Sequence, residues 1–237
     1  MNRVRLALLN TSYERFDTRR NFRRELDADL VEYEVTDGDV PETFDFDGFV
    51  VTGSRASVYW DEPWIDDLKA WVTAALERDL PALGVCFGHQ LLADALGGEV
   101  EDMGEYELGY RTVRQTDEST LLAGLSEEFV IFETHSDRVV SPPEGATVIA
   151  ENEYGIQGFE TDCVLSVQFH PEYDMATART VTKGKESVED DRIQQVLDGI
   201  DEETYAEACE AKALFENFTA HVEKRQFADE VANSSAR

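Results

Sequence analysis

The chain has 237 residues, of which 42% are hydrophobic, and it carries a formal net charge of −30 at pH 7. This size fits one α/β domain with additions, and the charge excludes non-specific nucleic-acid binding because such a surface repels phosphates. The N-terminus lacks the pattern of a secretory signal, and no apolar run approaches the roughly 20 residues of a membrane helix. We therefore expect a cytoplasmic protein that binds neither nucleic acid nor a membrane.

The cysteines point to a reducing compartment. Cys86, Cys163 and Cys209 are too few for a disulfide framework and too widely separated for the spacing of a zinc knuckle. This agrees with a cytoplasmic location.

The acidic residues are spread along the whole chain and do not form a tail. Pairs and triplets such as Asp66-Asp67 and Glu189-Asp190-Asp191 recur from end to end. We expect a source that lives at high salt, where screening relieves the repulsion between carboxylates. An ordinary acidic protein is the alternative.

The first half of the chain alternates between strands and helices. Apolar runs and period-2 patterns predict strands, and apolar residues at helical spacing predict helices. The predicted strands are 4–9, 31–35, 49–51 and 81–85, and the predicted helices are 17–28, 64–76 and one that carries residues 91–96. Such alternation implies a parallel sheet covered on both faces, with ligands at the carboxyl ends of the strands.

After Gly97-Gly98 the pattern changes to several strands in succession. These are 110–113, 129–132, 146–150, 156–159 and 164–169, and we expect them to form an antiparallel portion that returns to the main sheet. Residues 182–204 are predicted to be a polar helical or loop insertion, and residues 205–222 the final amphipathic helix. The predicted fold is thus α/β, a flavodoxin-like three-layer sandwich with a mainly parallel central sheet and a smaller antiparallel portion.

The segment Leu83-Gly84-Val85-Cys86-Phe87-Gly88-His89-Gln90 has the pattern of a nucleophile elbow. Its glycines permit a tight turn between a buried strand and a helix, which exposes the sulfur above the sheet at the helix N-terminus. The N–H of Phe87 then points to the place where an oxyanion would form. Taken alone, this pattern also fits a buried cysteine that packs between glycines.

A base is found at the end of another predicted strand, in Gln168-Phe169-His170-Pro171-Glu172. His170 can accept a proton and Glu172 can orient its ring, since the proline keeps the chain extended and places both side chains on one side. Taken singly, His170 also fits a strand-end histidine and Glu172 a solvated carboxylate. A third strand ends at Val51-Thr52-Gly53-Ser54, where a backbone N–H can complete an oxyanion hole.

These three segments resemble the signatures of the class I glutamine amidotransferases, from about residue 46 to residue 174. The resemblance implies that Cys86 is the nucleophile, His170 the general base and acid, and Glu172 the orienting residue. It assigns the oxyanion hole to the N–H groups of Gly53 and Phe87. It also implies a family domain over residues 1–225, with a helical C-terminal segment from about 175, and we expect residues 226–237 to be a disordered tail.

Three further residues are predicted to bind substrate. Gln90 matches the family glutamine that holds the substrate, although it also fits a polar residue in the first turn of a helix. His135-Ser136-Asp137 resembles the His-Gly-Asp stretch of the amidotransferase part of GMP synthase, which faces the amino-acid end of the substrate. Asp137 is expected to pair with the α-ammonium group, and the alternative is a turn after strand 129–132. We expect His89 to pack structurally.

The resemblance leaves three functions open. The first is a glutaminase that delivers ammonia to a separate synthetase, similar to the stand-alone glutaminase half of GMP synthase. The second is a self-sufficient γ-glutamyl peptidase, because Glu107–Val113 and His170-Pro171-Glu172-Tyr173 also look like that branch. The third, a catalytically silent binding protein, requires the loss of a triad residue, and all three are present.

Two departures and one absence complete the prediction. Thr52-Gly53-Ser54 lacks the double glycine and proline common in the family, so the oxyanion loop is either preformed or waits for a partner. Phe87 replaces a smaller residue but leaves its backbone role intact. The chemistry needs no metal and no organic cofactor.

Overall fold

The computed structural model describes residues 3–235, and within this range one mixed sheet runs through the protein. Its strands are β1 (Arg5–Asn10), β2 (Asp29–Glu34), β3 (Gly48–Val51), β4 (Ala82–Val85), β5 (Glu99–Gln115), β6 (Glu128–Ser141), β7 (Thr147–Asn152), β8 (Gly155–Glu160) and β9 (Val164–Val167).

The helices lie between the parallel strands and in the C-terminal segment. They are α1 (Arg15–Glu25), α2 (Pro63–Leu76), α3 (Phe87–Ala95), α4 (Met175–Lys183), α5 (Asp190–Asp198), α6 (Glu202–Ala208) and α7 (Ala213–Ser235). Of the helices in residues 3–235, none combines the length and the apolar character that a bilayer crossing requires.

The strand order is β2-β1-β3-β4-β9-β8-β7-β5-β6. The first five strands are parallel and have the flavodoxin-like order, and the last four add to β9 in antiparallel fashion. The carboxyl ends of β3, β4 and β9 are therefore neighbours at one edge, where a ligand site is expected. This topology confirms the predicted fold class.

The core has two layers because successive residues of a buried strand face opposite sides of the sheet. Leu6 and Leu8 of β1 belong to a cluster that includes Phe215 and Phe218 of α7. Leu9, on the opposite side, belongs to a second cluster that contains the apolar face of α2. Both faces of the parallel half are thus covered by helices.

The antiparallel portion is longer than the sequence predicts. The predicted strands 110–113 and 129–132 are the middles of β5 and β6, which pair from Glu99 to Ser141. Charged, exposed residues in the outer parts of these strands hide the apolar pattern. His135-Ser136-Asp137 consequently lies within β6 and not in a turn.

The C-terminal segment also differs in detail. Residues 182–204 contain the end of α4, all of α5 and the start of α6, so the insertion is mainly helical. The sequence predicts a disordered tail from residue 226, whereas α7 continues to Ser235. Good helix formers such as Gln226 and Ala228 favour this continuation. Residues 236–237 lie outside the described part of the chain.

We predict that the free energy of unfolding rises with salt. Pairing every one of the 21 basic residues would still leave 51 − 21 = 30 carboxylates without a cation. Raising NaCl from about 0.1 M to about 1 M shortens the Debye length from about 10 Å to about 3 Å and screens this repulsion. Thermal unfolding followed by circular dichroism measures the effect, with an uncharged osmolyte as the control for exclusion from the surface. A midpoint that does not move with salt would contradict the high-salt interpretation.

Candidate active site

Cys86 lies at the junction of β4 and α3, in the strained backbone of an elbow. Its φ of 54° and ψ of −106° place it among the few non-glycine residues with positive φ. Such a conformation costs about 1–3 kcal/mol and persists only where the surrounding structure imposes it. The junction therefore presents the sulfur at the carboxyl edge of the sheet and the N-terminus of a helix.

The glycines on either side of Cys86 allow α3 to pack closely on the sheet. A side-chain carbon at Gly88 would lie 2.2 Å from the carbonyl oxygen of Val51 on β3. One at Gly84 would lie 2.7 Å from the carbonyl oxygen of Gly88. Any larger residue at either position would push the helix away from the strands and displace the elbow.

His170 and Glu172 follow β9, which is the strand next to β4. The Nδ1 atom of His170 lies 2.8 Å from Oε1 of Glu172, and both side chains are buried. The carboxylate accepts the Nδ1 proton and fixes the ring. Burial disfavours the charged ring, but the negative charges of Glu172 and Cys86 outweigh it and raise the pKa of His170 to about 10.

The loop that carries Glu172 is held by α1. The Arg24 guanidinium donates to the carbonyl oxygen of Glu172, and both Arg20 and Arg24 approach Asp174 at 3.1 Å. Tyr173 stacks on the His170 ring with centroids 4.2 Å apart. Sequence reasoning missed these contacts, although a helix rich in arginine is conspicuous in a chain with few basic residues.

Gly53, at the end of β3, lies against both catalytic candidates. A side-chain carbon here would lie 2.8 Å from Cε1 of His170 and 3.5 Å from Cβ of Cys86. The Thr11 hydroxyl anchors this loop by donating to the carbonyl oxygens of Thr52 and Gly53. Phe87 is the first residue of α3 and directly follows Cys86. Both residues predicted to form the oxyanion hole thus border the sulfur.

Gln90 and Asp137 meet beside the elbow. The Gln90 amide donates to the carbonyl oxygen of Asp137 at 2.9 Å and to Oε1 of Gln168 at 3.0 Å. The Asp137 carboxylate accepts the Tyr59 hydroxyl at 3.1 Å. Burial raises the pKa of Asp137, and nearby Asp102 adds to this, against the hydrogen bonds that it accepts. A bound cation would relieve this carboxylate of an unfavourable environment.

Ser136 has different surroundings from Asp137. Neighbouring residues of a strand point to opposite faces, and Ser136 lines a groove of about 460 Å³ with Tyr106 and Arg192. The structure therefore brings together two of the three predicted substrate residues, and a direct substrate role for Ser136 does not follow from its contacts.

His89 packs inside the protein, as the sequence analysis expects. It is fully buried, its Nδ1 lies 2.9 Å from the Ser166 hydroxyl, and its ring contacts Phe159. The Ser166 hydroxyl donates to a carbonyl oxygen, so Nδ1 of His89 is the protonated nitrogen. Burial lowers the pKa of His89 to about 3, and the ring is neutral.

The chain is similar to proteins of one family. The family model described as glutamine amidotransferase class-I matches residues 10–185. The glutamine-hydrolysing chain of the two-chain GMP synthase from Sulfolobus acidocaldarius is 37% identical over 139 residues, which cover 57% of this chain and 72% of that protein. γ-Glutamyl peptidase 5 of Arabidopsis thaliana is 29% identical over 153 residues, 60% of this chain and 61% of that protein.

A solved structure shares the architecture. The crystal structure of a glutamine amidotransferase from Thermotoga maritima superposes with a TM-score of 0.77 at 21% identity. The match covers 92% of this chain and 99% of the other. At this identity the likeness concerns the fold, and it agrees with the strand order described above.

Proposed function

Because the chain belongs to the class I glutamine amidotransferase family, we propose that it hydrolyses the side-chain amide of glutamine and delivers ammonia to a separate synthetase. Membership in the family confirms the sequence prediction of a cysteine-dependent enzyme of this class. The relative from Sulfolobus acidocaldarius is by name a glutamine-hydrolysing subunit, which supports a division of labour between two chains. A cytoplasmic location is part of the proposal.

The observation that carries the proposal is the convergence of Cys86, His170 and Glu172 around Gly53. The Cys86 thiolate attacks the carboxamide carbon of glutamine and forms a carbon–sulfur bond. His170 then gives a proton to the nitrogen, the carbon–nitrogen bond breaks and ammonia leaves. Water, deprotonated by His170, hydrolyses the thioester to glutamate and restores the thiol.

The developing oxyanion is stabilised by backbone N–H groups. We assign them to Gly53 and Phe87, which flank the sulfur on the β3 and α3 sides. Glu172 keeps the His170 ring in the tautomer and orientation that this chemistry needs. Tyr173 and Arg24 hold the ring and the loop in place.

The amino-acid end of glutamine is assigned to the wall formed by Gln90 and Asp137. A substrate α-ammonium would supply the positive charge that the buried Asp137 carboxylate lacks, and this favours an ion pair there. The Tyr59 hydroxyl donates to the same carboxylate and orients it.

A stand-alone γ-glutamyl peptidase is the second candidate, and the likeness to γ-glutamyl peptidase 5 supports it. The triad chemistry is the same in both functions. They differ in whether a partner is needed and in whether the site accepts a residue attached to the γ-amide.

We predict slow release of ammonia from glutamine by the purified protein alone, and faster release once a GMP-synthase-type synthetase with its substrates is added. A glutaminase that must not waste glutamine keeps its oxyanion loop incomplete until a partner docks, and Thr52-Gly53-Ser54 is the segment able to change. The assay compares glutamine with a γ-glutamyl dipeptide at a stabilising salt concentration, with Cys86→Ala as the blank. Rapid cleavage of the dipeptide without a partner would replace the amidotransferase proposal by the peptidase.

A further inference from the structure

A cluster of buried charged residues lies behind the substrate wall. Glu107 comes from β5, and Glu133 and His135 come from β6. The two glutamates are fully buried and His135 is 4% exposed, and their nitrogen and carboxylate atoms lie within 4.8 Å of one another. Burying several charges together is costly unless each is compensated, so the contacts of each group show its role.

The contacts of His135 require both ring nitrogens to carry protons. Nδ1 lies 2.9 Å from the carbonyl oxygen of Asp137, and Nε2 lies 2.9 Å from Oε2 of Glu107. Both partners are acceptors, so each nitrogen must donate and the ring is an imidazolium. Burial opposes this charge, but the two glutamates outweigh it and raise the pKa of His135 to about 10.

Glu107 is the carboxylate that balances this charge. Its Oε1 accepts the Asn152 amide at 2.6 Å, and its Oε2 accepts the Gln157 amide at 3.1 Å in addition to the His135 ring. Three N–H donors from different strands thus converge on one side chain. Such a site is satisfied only by an ionised carboxylate.

Glu133 is in the opposite situation. Its Oε2 lies 3.4 Å from Nε2 of His135, but neither oxygen has a hydrogen-bond partner among the described residues. The residue across the strand pair is Gly109, which has no side chain to donate. Burial and the charge of Glu107 raise the pKa of Glu133 to about 7. Glu133 therefore holds no neighbour in place and is readily protonated.

The His135 imidazolium is linked to the substrate wall through one atom. The carbonyl oxygen of Asp137 accepts both the His135 ring and the Gln90 amide. This atom therefore fixes the main chain of Asp137 and, at the same time, the side chain of Gln90. Cys86 and His170 are held by other elements, the β4–α3 elbow and the end of β9.

We propose that the Glu107–His135 ion pair is a positioning unit for the substrate site, which sets the Asp137 carboxylate and the Gln90 amide for the amino-acid end of the substrate. This inference rests on the proposed hydrolysis of glutamine. It predicts that the ion pair governs substrate binding more than the chemical step, and that the two glutamates around His135 are not equivalent.

The test compares Glu107→Gln with Glu133→Gln, two isosteric changes beside the same imidazole. At position 107 an amide must turn its NH₂ group toward another donor, so we expect KM for glutamine to rise about tenfold while kcat changes by less than about threefold. At position 133 an amide replaces an unpartnered carboxylate, so KM should stay within about twofold and thermal stability should not fall. Preference for glutamine over glutaramate, which lacks the α-amino group, should shrink in Glu107→Gln alone.

Nitrogen NMR of the labelled wild-type protein provides a readout that does not depend on turnover. Both ring nitrogens of His135 should be protonated at about pH 8, below the raised pKa of this ring. A neutral His135 ring, equal effects of the two substitutions on KM, or a bound divalent metal that both substitutions release would each overturn the proposal. If the wild-type protein does not hydrolyse glutamine, the proposed function fails, whereas the NMR measurement still decides the state of His135.

Discussion

Replacing Cys86 by alanine or serine is expected to lower the rate of glutamine hydrolysis by at least about 10⁴-fold. The sulfur is the atom that forms the covalent intermediate, and the described residues of the elbow offer no second nucleophile beside His170. The fold should remain, because the side chain is small and the strained backbone is imposed by Gly84, Gly88 and their close neighbours. Ammonia release and far-ultraviolet circular dichroism measure the two expectations.

The other cysteines provide matched controls. Cys163 lies before β9 beside Asp79, and Cys209 lies in the turn after α6. Both are partly exposed and form no disulfide, so Cys163→Ser and Cys209→Ser should keep the wild-type rate. Wild-type ammonia release by Cys86→Ala, or its loss in either control, would show that the nucleophile is elsewhere.

His170→Ala is expected to lower turnover more than Glu172→Gln does, by roughly 10- to 100-fold. His170 carries the proton to the leaving nitrogen, whereas Glu172 orients the ring and stabilises its charge. Without the Glu172 charge the pKa of His170 falls from about 10 toward its ordinary value. The imidazolium is then lost at lower pH, so the basic limb of the kcat/KM profile should move to lower pH in Glu172→Gln.

Steady-state rates and pH profiles of the two variants test this ranking. Asp174→Asn is a useful control, because it changes a carboxylate two residues further on that contacts α1 and not the His170 ring. Equal rates for His170→Ala and the wild type would remove His170 from the mechanism. An unchanged basic limb in Glu172→Gln would remove the electrostatic role of Glu172.

The sequence predicts the parallel half of the fold and the location of the triad for a common physical reason. Buried strands are short apolar runs, and the chemistry follows their ends at Gly53, Cys86 and His170, which become neighbours once β3, β4 and β9 are placed side by side. The glycines of the elbow add a local signal, since only glycine fits so close to β3.

The supporting contacts are not predictable in the same way. Glu107 and His135 are 28 residues apart and meet only through the β5–β6 register, which their polar sequences conceal. Arg24 reaches Glu172 across 148 residues, and Tyr59 reaches Asp137 from a loop. Ser136 shows the converse limit, because a motif placed it with Asp137 and the strand alternation points it elsewhere.

The central claim is that Cys86 forms a γ-glutamyl thioester, and mass spectrometry tests it most directly. The protein is mixed with glutamine, quenched in acid within one turnover and digested. The account predicts that the peptide containing Cys86 gains the mass of one γ-glutamyl group, and that no other peptide does. Ammonia release with no modified Cys86 peptide at any quench time, or with the adduct on another residue, would contradict it.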